Sequence, residues 1–141
     1  MKSFGLCAAL GAAGGAIAAL FGGFDAGIAT LLLFQCTDFM LGLTCAAVFG
    51  KSTKSAGGSL ESRACFKGLC RKFGTLALIV VACRLDLLLG VSYVRDTVVI
   101  CYLVNETISI VEKLALMGVP VPGVVRNALE VLKGGNKNDT L

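Results

Sequence analysis

The stretch Asn105-Glu106-Thr107-Ile108-Ser109-Ile110-Val111-Glu112-Lys113-Leu114-Ala115-Leu116-Met117-Gly118-Val119-Pro120-Val121-Pro122 decides the fold. On a helix that advances about 100° per residue, with Asn105 at 0°, Glu106 falls near 100°, Ser109 near 40°, Glu112 near −20° and Lys113 near 80°. Tyr102, one turn earlier, falls near 60°. The polar side chains share one arc, with Thr107 the outlier, and Ile108, Ile110, Val111, Leu114 and Ala115 form a hydrocarbon face. Gly118 predicts the end of this helix, and Pro120 and Pro122 prevent it from restarting at once. Such a pattern suits the surface of a soluble protein equally well, so the rest of the chain must decide the solvent.

Composition decides it. The 141 residues are 56% hydrophobic and only 16% charged, with 18 Gly and no Trp or His. The mean hydropathy is +0.84. Soluble domains carry about 25% charged and 45–50% apolar residues. Glycine is more frequent in membrane helices, where it lets backbones approach. The chain therefore reads as an all-α integral membrane protein. Its seven cysteines are odd in number and lie mostly in apolar runs, where a free thiol acts as a small hydrophobe. Cys65 and Cys70 share a polar segment with no His beside them, so all seven read as reduced and no metal site is expected.

Outward from the opening stretch, the chain divides into a transmembrane helical domain over 1–122, an amphipathic helix over 123–133 and a polar tail over 134–141. Residues 4–24 carry no charge and are long enough to cross a bilayer core, although Lys2 and Ala16-Ile17-Ala18 would also suit a signal peptide. Gly11 and Gly15 give this span a small-residue contact face, and Gly42 is a further helix-packing candidate. Residues 26–50 form a second span whose one charge is Asp38. A carboxylate at that depth costs about 2.5–3.5 kcal/mol unless it is paired or faces water. A third span, 73–94, carries Arg84 and Asp86, which point about 200° apart and cannot pair with each other. Arg84 and Asp38 both lie midway along their spans, so they are expected to pair. The fourth segment, 97–115, starts apolar and ends in the polar stripe. Together these make about four transmembrane helices in two hairpins, followed by a C-terminal interfacial helix.

The long polar loop, 51–72, holds Lys51, Lys54, Arg63, Lys67, Arg71 and Lys72 against Glu61. Gly50-Lys51-Ser52 imitates the end of a phosphate-binding loop, but the glycine required five residues earlier is Cys45 and no strand precedes it, which excludes nucleotide binding. Four spans place eleven of the thirteen basic residues on one side, so the positive-inside rule predicts a bacterial cytoplasmic-membrane protein with both termini inside. A three-span form with the N-terminus outside is the alternative. The basic loop residues, with Arg126 and Lys133 of the last helix, are expected to set topology and to contact anionic lipids rather than nucleic acid.

Nothing in the sequence pairs a nucleophile with a base, clusters metal ligands or marks a cofactor, so no catalytic, metal or cofactor residue is expected. Asp38, Arg84, Asp86, Asn105, Glu106, Ser109 and Glu112 are instead the candidate intramembrane or pore-lining groups. Four short helices cannot enclose a wide channel, so function would require homo-oligomerisation.

Asp38-Phe39-Met40-Leu41-Gly42, Gly68-Leu69-Cys70-Arg71-Lys72, Asp86 with Gly90 and Arg95, and Asn105-Glu106 with Ser109-Ile110 and Glu112 before Gly118-Val119-Pro120-Val121-Pro122 occur in an order that resembles phage holins of the clostridial toxin-secretion type. Lys113 departs from that pattern, where Asn is expected after the Glu, and the first helix is unusually rich in Gly and Ala. The resemblance implies a protein that accumulates in the cytoplasmic membrane, oligomerises and opens large lesions. Through these an endolysin reaches the cell wall or a large toxin leaves, without direct contact being required. The competing class is a small ion channel or a structural subunit of an export assembly.

Overall fold

A computed structural model describes residues 2–50 and 62–135, with the side chains of 5–50 and 62–131. Lys51 and Lys54 lie outside the described residues, as does the side chain of Lys133. The described residues form five helices: α1 Lys2–Leu20, α2 Ala26–Ala47, α3 Ser62–Leu89, α4 Val94–Leu116 and α5 Gly123–Gly135.

Each boundary has a local cause. Asp25 caps α2, its Oδ1 accepting from Ile28 N at 3.0 Å. Gly90 and Gly118, at φ of 66° and 83°, take the left-handed conformation just after α3 and α4. At the start of α4, Tyr93 offers no side-chain cap. Asp86 supplies it from the end of α3, its two carboxylate oxygens accepting from Val94 N and Arg95 N at 3.0 Å each.

The largest departure from the sequence reading is α3. Its polar first turns were expected to be loop up to residue 72, yet Ser62–Lys72 is helical and continuous with the apolar part. Arg and Lys are good helix formers, so polarity alone does not argue for a loop. Among the described residues, one helix, Ala26–Ala47, is long and apolar enough to cross a membrane by itself; the apolar run Gly5–Leu20 is shorter.

Residues α2, α3 and α4 form the packed unit. Asp25 meets Arg95 at one end of α2 and α4, and Asp38 meets Lys113 farther along, so these two helices run parallel. Gln35 Nε2 donates to Thr75 Oγ1 of α3, which runs antiparallel to both. The hydrocarbon core lies toward the turns: Ile28, Leu31, Ile79 and Val99, with Phe21, Leu76, Tyr102 and Leu103 against them. The buried positions recur at sevens, as in a coiled-coil seam: Ile28 and Gln35, Leu31, Asp38 and Cys45, Ile79 and Asp86, Val99, Glu106 and Lys113. Helix α1 is exposed along almost its whole described length, and among the described residues nothing approaches within 4 Å of a Cβ built on Gly11 or Gly15. Large apolar side chains such as Leu33, Met40, Leu78, Leu88 and Ile100 face outward, a surface suited to lipid rather than water.

Candidate functional site

The seams of α2, α3 and α4 change from hydrocarbon to charge at one level. Asp38 is twelve residues into α2, about 18 Å from its start, and is 2% exposed. Lys113 Nζ forms an ion pair with Asp38 Oδ1 and donates to Asp38 O at 3.0 Å and Ser109 Oγ at 3.2 Å. All three ammonium protons of Lys113 are thus used. Lys72 Nζ lies 3.0 Å from Asp38 Oδ2 and 2.8 Å from Glu106 Oε2. The result is a neutral ladder, Lys113–Asp38–Lys72–Glu106, that ties three helices together. Ladder members are backed by neighbours: Thr75 Oγ1 donates to Lys72 O at 2.7 Å, and the Cys45 thiol lies 3.6 Å from Lys113 O. Gly42 is where Lys113 passes α2, since a Cβ there would sit 3.4 Å from Lys113 Cε.

A cavity of about 520 Å³ opens beside the ladder between α3 and α4. Asp38, Lys72 and Glu106 of the ladder line it, together with Arg71, Asn105, Ser109 and Glu112. Five of the seven intramembrane candidates, Asp38, Asn105, Glu106, Ser109 and Glu112, therefore meet around one space. Arg84 and Asp86 do not. Asp86 caps α4 at the far end, and Arg84 is exposed on α3. The expected Asp38–Arg84 pair is absent, because both oxygens of Asp38 are held by Lys113 and Lys72. Arg84 lies twelve residues, about 18 Å, along α3 from Lys72; the eleven helical residues before position 73 place the middle of α3 well before it.

Lys113, Lys72, Gln35 and Thr75 are the site residues that sequence reasoning missed in this role. Lys72 lies in the segment whose polarity reads as loop, and Lys113 departs from the holin pattern. The signal that finds Lys113 is the seven-residue spacing Val99–Glu106–Lys113, which places it on the seam.

A second polar cluster ties the two turns together at the opposite end. Arg95 Nε donates to Phe21 O at 2.6 Å, and Nη1 to Asp25 Oδ2 at 2.8 Å and Asp96 Oδ1 at 2.9 Å. The hydrogen bond from Arg95, with that from Ile28 N, holds the Asp25 carboxyl below its ordinary pKa, and Asp25 raises that of Arg95 in return. Gly22, at φ 75°, lets this turn approach: a Cβ there would lie 3.0 Å from Cys83 Sγ.

The profile of the bacteriophage holin family matches residues 15–134. The chain belongs to this family. Membership carries a membrane location, in keeping with the apolar span Ala26–Ala47. An uncharacterised protein of Listeria monocytogenes is 34% identical over 121 residues, covering 85% of this chain and 81% of that one. Another, of Clostridium perfringens, is 37% identical over 122 residues, covering 85% and 83%. A protein described as a probable holin of Bacillus phage phi105 is 33% identical over 82 residues, 57% of this chain and 61% of that one. No solved structure matches.

Proposed function

We infer that this chain is a holin that oligomerises in the cytoplasmic membrane and opens lesions large enough for a folded protein. The observation that carries the reading is the neutral ladder Lys113–Asp38–Lys72–Glu106, buried on helices that carry large apolar side chains on their outer faces. Charges at that depth are tolerated only when paired or hydrated. In a dilute membrane the pairs close within one chain and the bundle is electrically silent. At high density copies exchange these contacts for partners around water, a shift between two packings that needs no chemistry. Glu106, Ser109 and Glu112, with Asp38 behind them, then line the opening, and the small-residue face of α1 around Gly11 and Gly15 packs against other copies. The shared end of the 21–25 and 90–93 turns supports two hairpins with both termini inside. The cargo is an endolysin in lysis; export of a toxin would use the same lesion.

The test is induced expression in a bacterium that also carries a cytosolic peptidoglycan hydrolase without a signal sequence. Abrupt loss of turbidity that requires both proteins is expected, and Glu106→Leu should insert normally yet fail to release the hydrolase. Collapse of the membrane potential with the hydrolase retained would replace the holin reading with a small channel. No effect on either would leave a structural subunit.

A further inference from the structure

Three cations, Arg63, Lys67 and Arg71, stand on one face of α3 at successive i, i+4 positions, all exposed. None has a hydrogen-bond or ion-pair partner among the described residues. Like charges at this spacing repel, so the chain by itself gains nothing from aligning them. A topology signal needs only their number, whereas a shared face needs a partner. The stripe leads to the cavity between α3 and α4. Arg71 lies eighteen residues before Leu89, and Glu112 eighteen after Val94, so both stand about 27 Å from the turn end of the bundle. A bilayer core is about 30 Å thick. The cavity mouth is therefore level with the headgroups of the leaflet on the basic side, and the stripe continues outward from it. Gly68, itself buried, lines the cavity beside Arg71, and among the described residues nothing lies within 4 Å of a Cβ built there. The lining ammonium group, that of Lys72, is already engaged by Asp38 and Glu106, so Arg71, at the level of the Glu112 carboxylate, is the lining cation left to meet an anion entering from the membrane.

We propose that the mouth of the α3–α4 cavity, with the Arg63–Lys67–Arg71 stripe, is a binding site for the headgroup of an anionic phospholipid in the inner leaflet. The site rests on the membrane placement argued above and not on lesion formation. Its ligand is the phosphate of a lipid whose headgroup carries net negative charge. Arg71 takes the phosphate at the mouth, and Lys67 and Arg63 meet neighbouring headgroups.

The test uses the full chain purified in a non-ionic detergent, with its thermal midpoint followed by circular dichroism. It is titrated with dioctanoyl phosphatidylglycerol, dioctanoyl phosphatidylcholine or inorganic phosphate. A saturable rise with phosphatidylglycerol alone is expected. The four-fold exchange Phe66→Lys, Lys67→Phe, Cys70→Arg, Arg71→Cys keeps composition and charge count but turns two cations about 100° off the stripe. At about fivefold per cation it should weaken phosphatidylglycerol binding about 25-fold. Arg71→Gln, a milder change in case the exchange fails to fold, should weaken it about fivefold. An equal rise with phosphatidylcholine or with phosphate, or wild-type affinity in the folded exchange or Arg71→Gln variant, overturns the proposal. Because lysis is not read, failure of the holin function leaves this outcome untouched, and the reverse also holds.

Discussion

Replacing Lys113 with Met tests whether the ladder holds the bundle together. Lys113 is 5% exposed and Asp38 2%. The substitution removes the ammonium from Asp38 Oδ1, from Asp38 O and from Ser109 Oγ. Two carboxylates then share Lys72 as their one remaining ladder cation. Removing one partner of a buried pair costs about 3–5 kcal/mol, because the other charge stays buried without compensation. Asp38→Leu should cost a similar amount, by stranding Lys113. The double variant, Asp38→Leu with Lys113→Met, removes one charge of each sign and leaves Lys72–Glu106 at 2.8 Å intact. It should cost about 1–2 kcal/mol, since apolar replacements of a buried pair are often near neutral. The double-mutant cycle should therefore show coupling of at least about 4 kcal/mol. Reversible unfolding in mixed micelles of dodecyl sulfate and dodecylphosphocholine, followed by helix content, measures all three. Additive costs, or a loss below about 1 kcal/mol for Lys113→Met, would refute the ladder as a structural element.

Two further outcomes follow from the packing. Gly42→Ala puts a Cβ 3.4 Å from Lys113 Cε, so the side chain must give by a few tenths of an ångström; Gly42→Leu should displace it and cost about 1–3 kcal/mol in the same unfolding assay, a penalty that largely disappears when Lys113 is already Met. At the turn end, Asp25 is held below its ordinary pKa by Arg95, so the clasp contributes fully above the unfolded carboxylate value of about 3.9 and is lost as pH falls through the lower folded value. Arg95→Met should lower the thermal midpoint at pH 7, and the gap from wild type should narrow as pH falls below about 4; parallel curves would remove Asp25 from the clasp.

The membrane setting and several helices were legible in the sequence because they rest on local chemistry: the apolar run 26–50, and Gly118 with two prolines behind it. Asp38 and Glu106 were also legible as intramembrane groups, since a carboxylate in an apolar run stands out by cost alone. Their partners were not. Pairing depends on where each helix begins and how the helices are staggered, and the polarity of 62–72 hid the first three turns of α3. With that start misplaced, Arg84 looked level with Asp38 and Lys72 looked like loop. Lys113 was plainly visible on the polar arc of α4, but a lysine near a helix end also reads as a surface residue. Its inward direction shows only when Val99, Glu106 and Lys113 are set on one seam, and its acceptor only when Gly42 of α2 leaves room for the stem.

That arrangement explains why a membrane bundle would carry four charges in its interior at all. Between lipid-bathed helices, hydrocarbon faces discriminate poorly, because a side chain gains little by exchanging lipid for protein. The Leu, Ile and Val of α2, α3 and α4 could pack in several registers at similar energy. A slip of one heptad, however, would leave Asp38 opposite hydrocarbon and strand Lys72 and Lys113, at several kcal/mol for each lost pair. The ladder thus fixes register where apolar packing cannot. It also confines the choice to arrangements that close the same pairs, whether within one chain or between copies. The switch between two packings proposed above would need both properties: intermediate packings, with charges unpaired in lipid, are the ones the ladder makes costly.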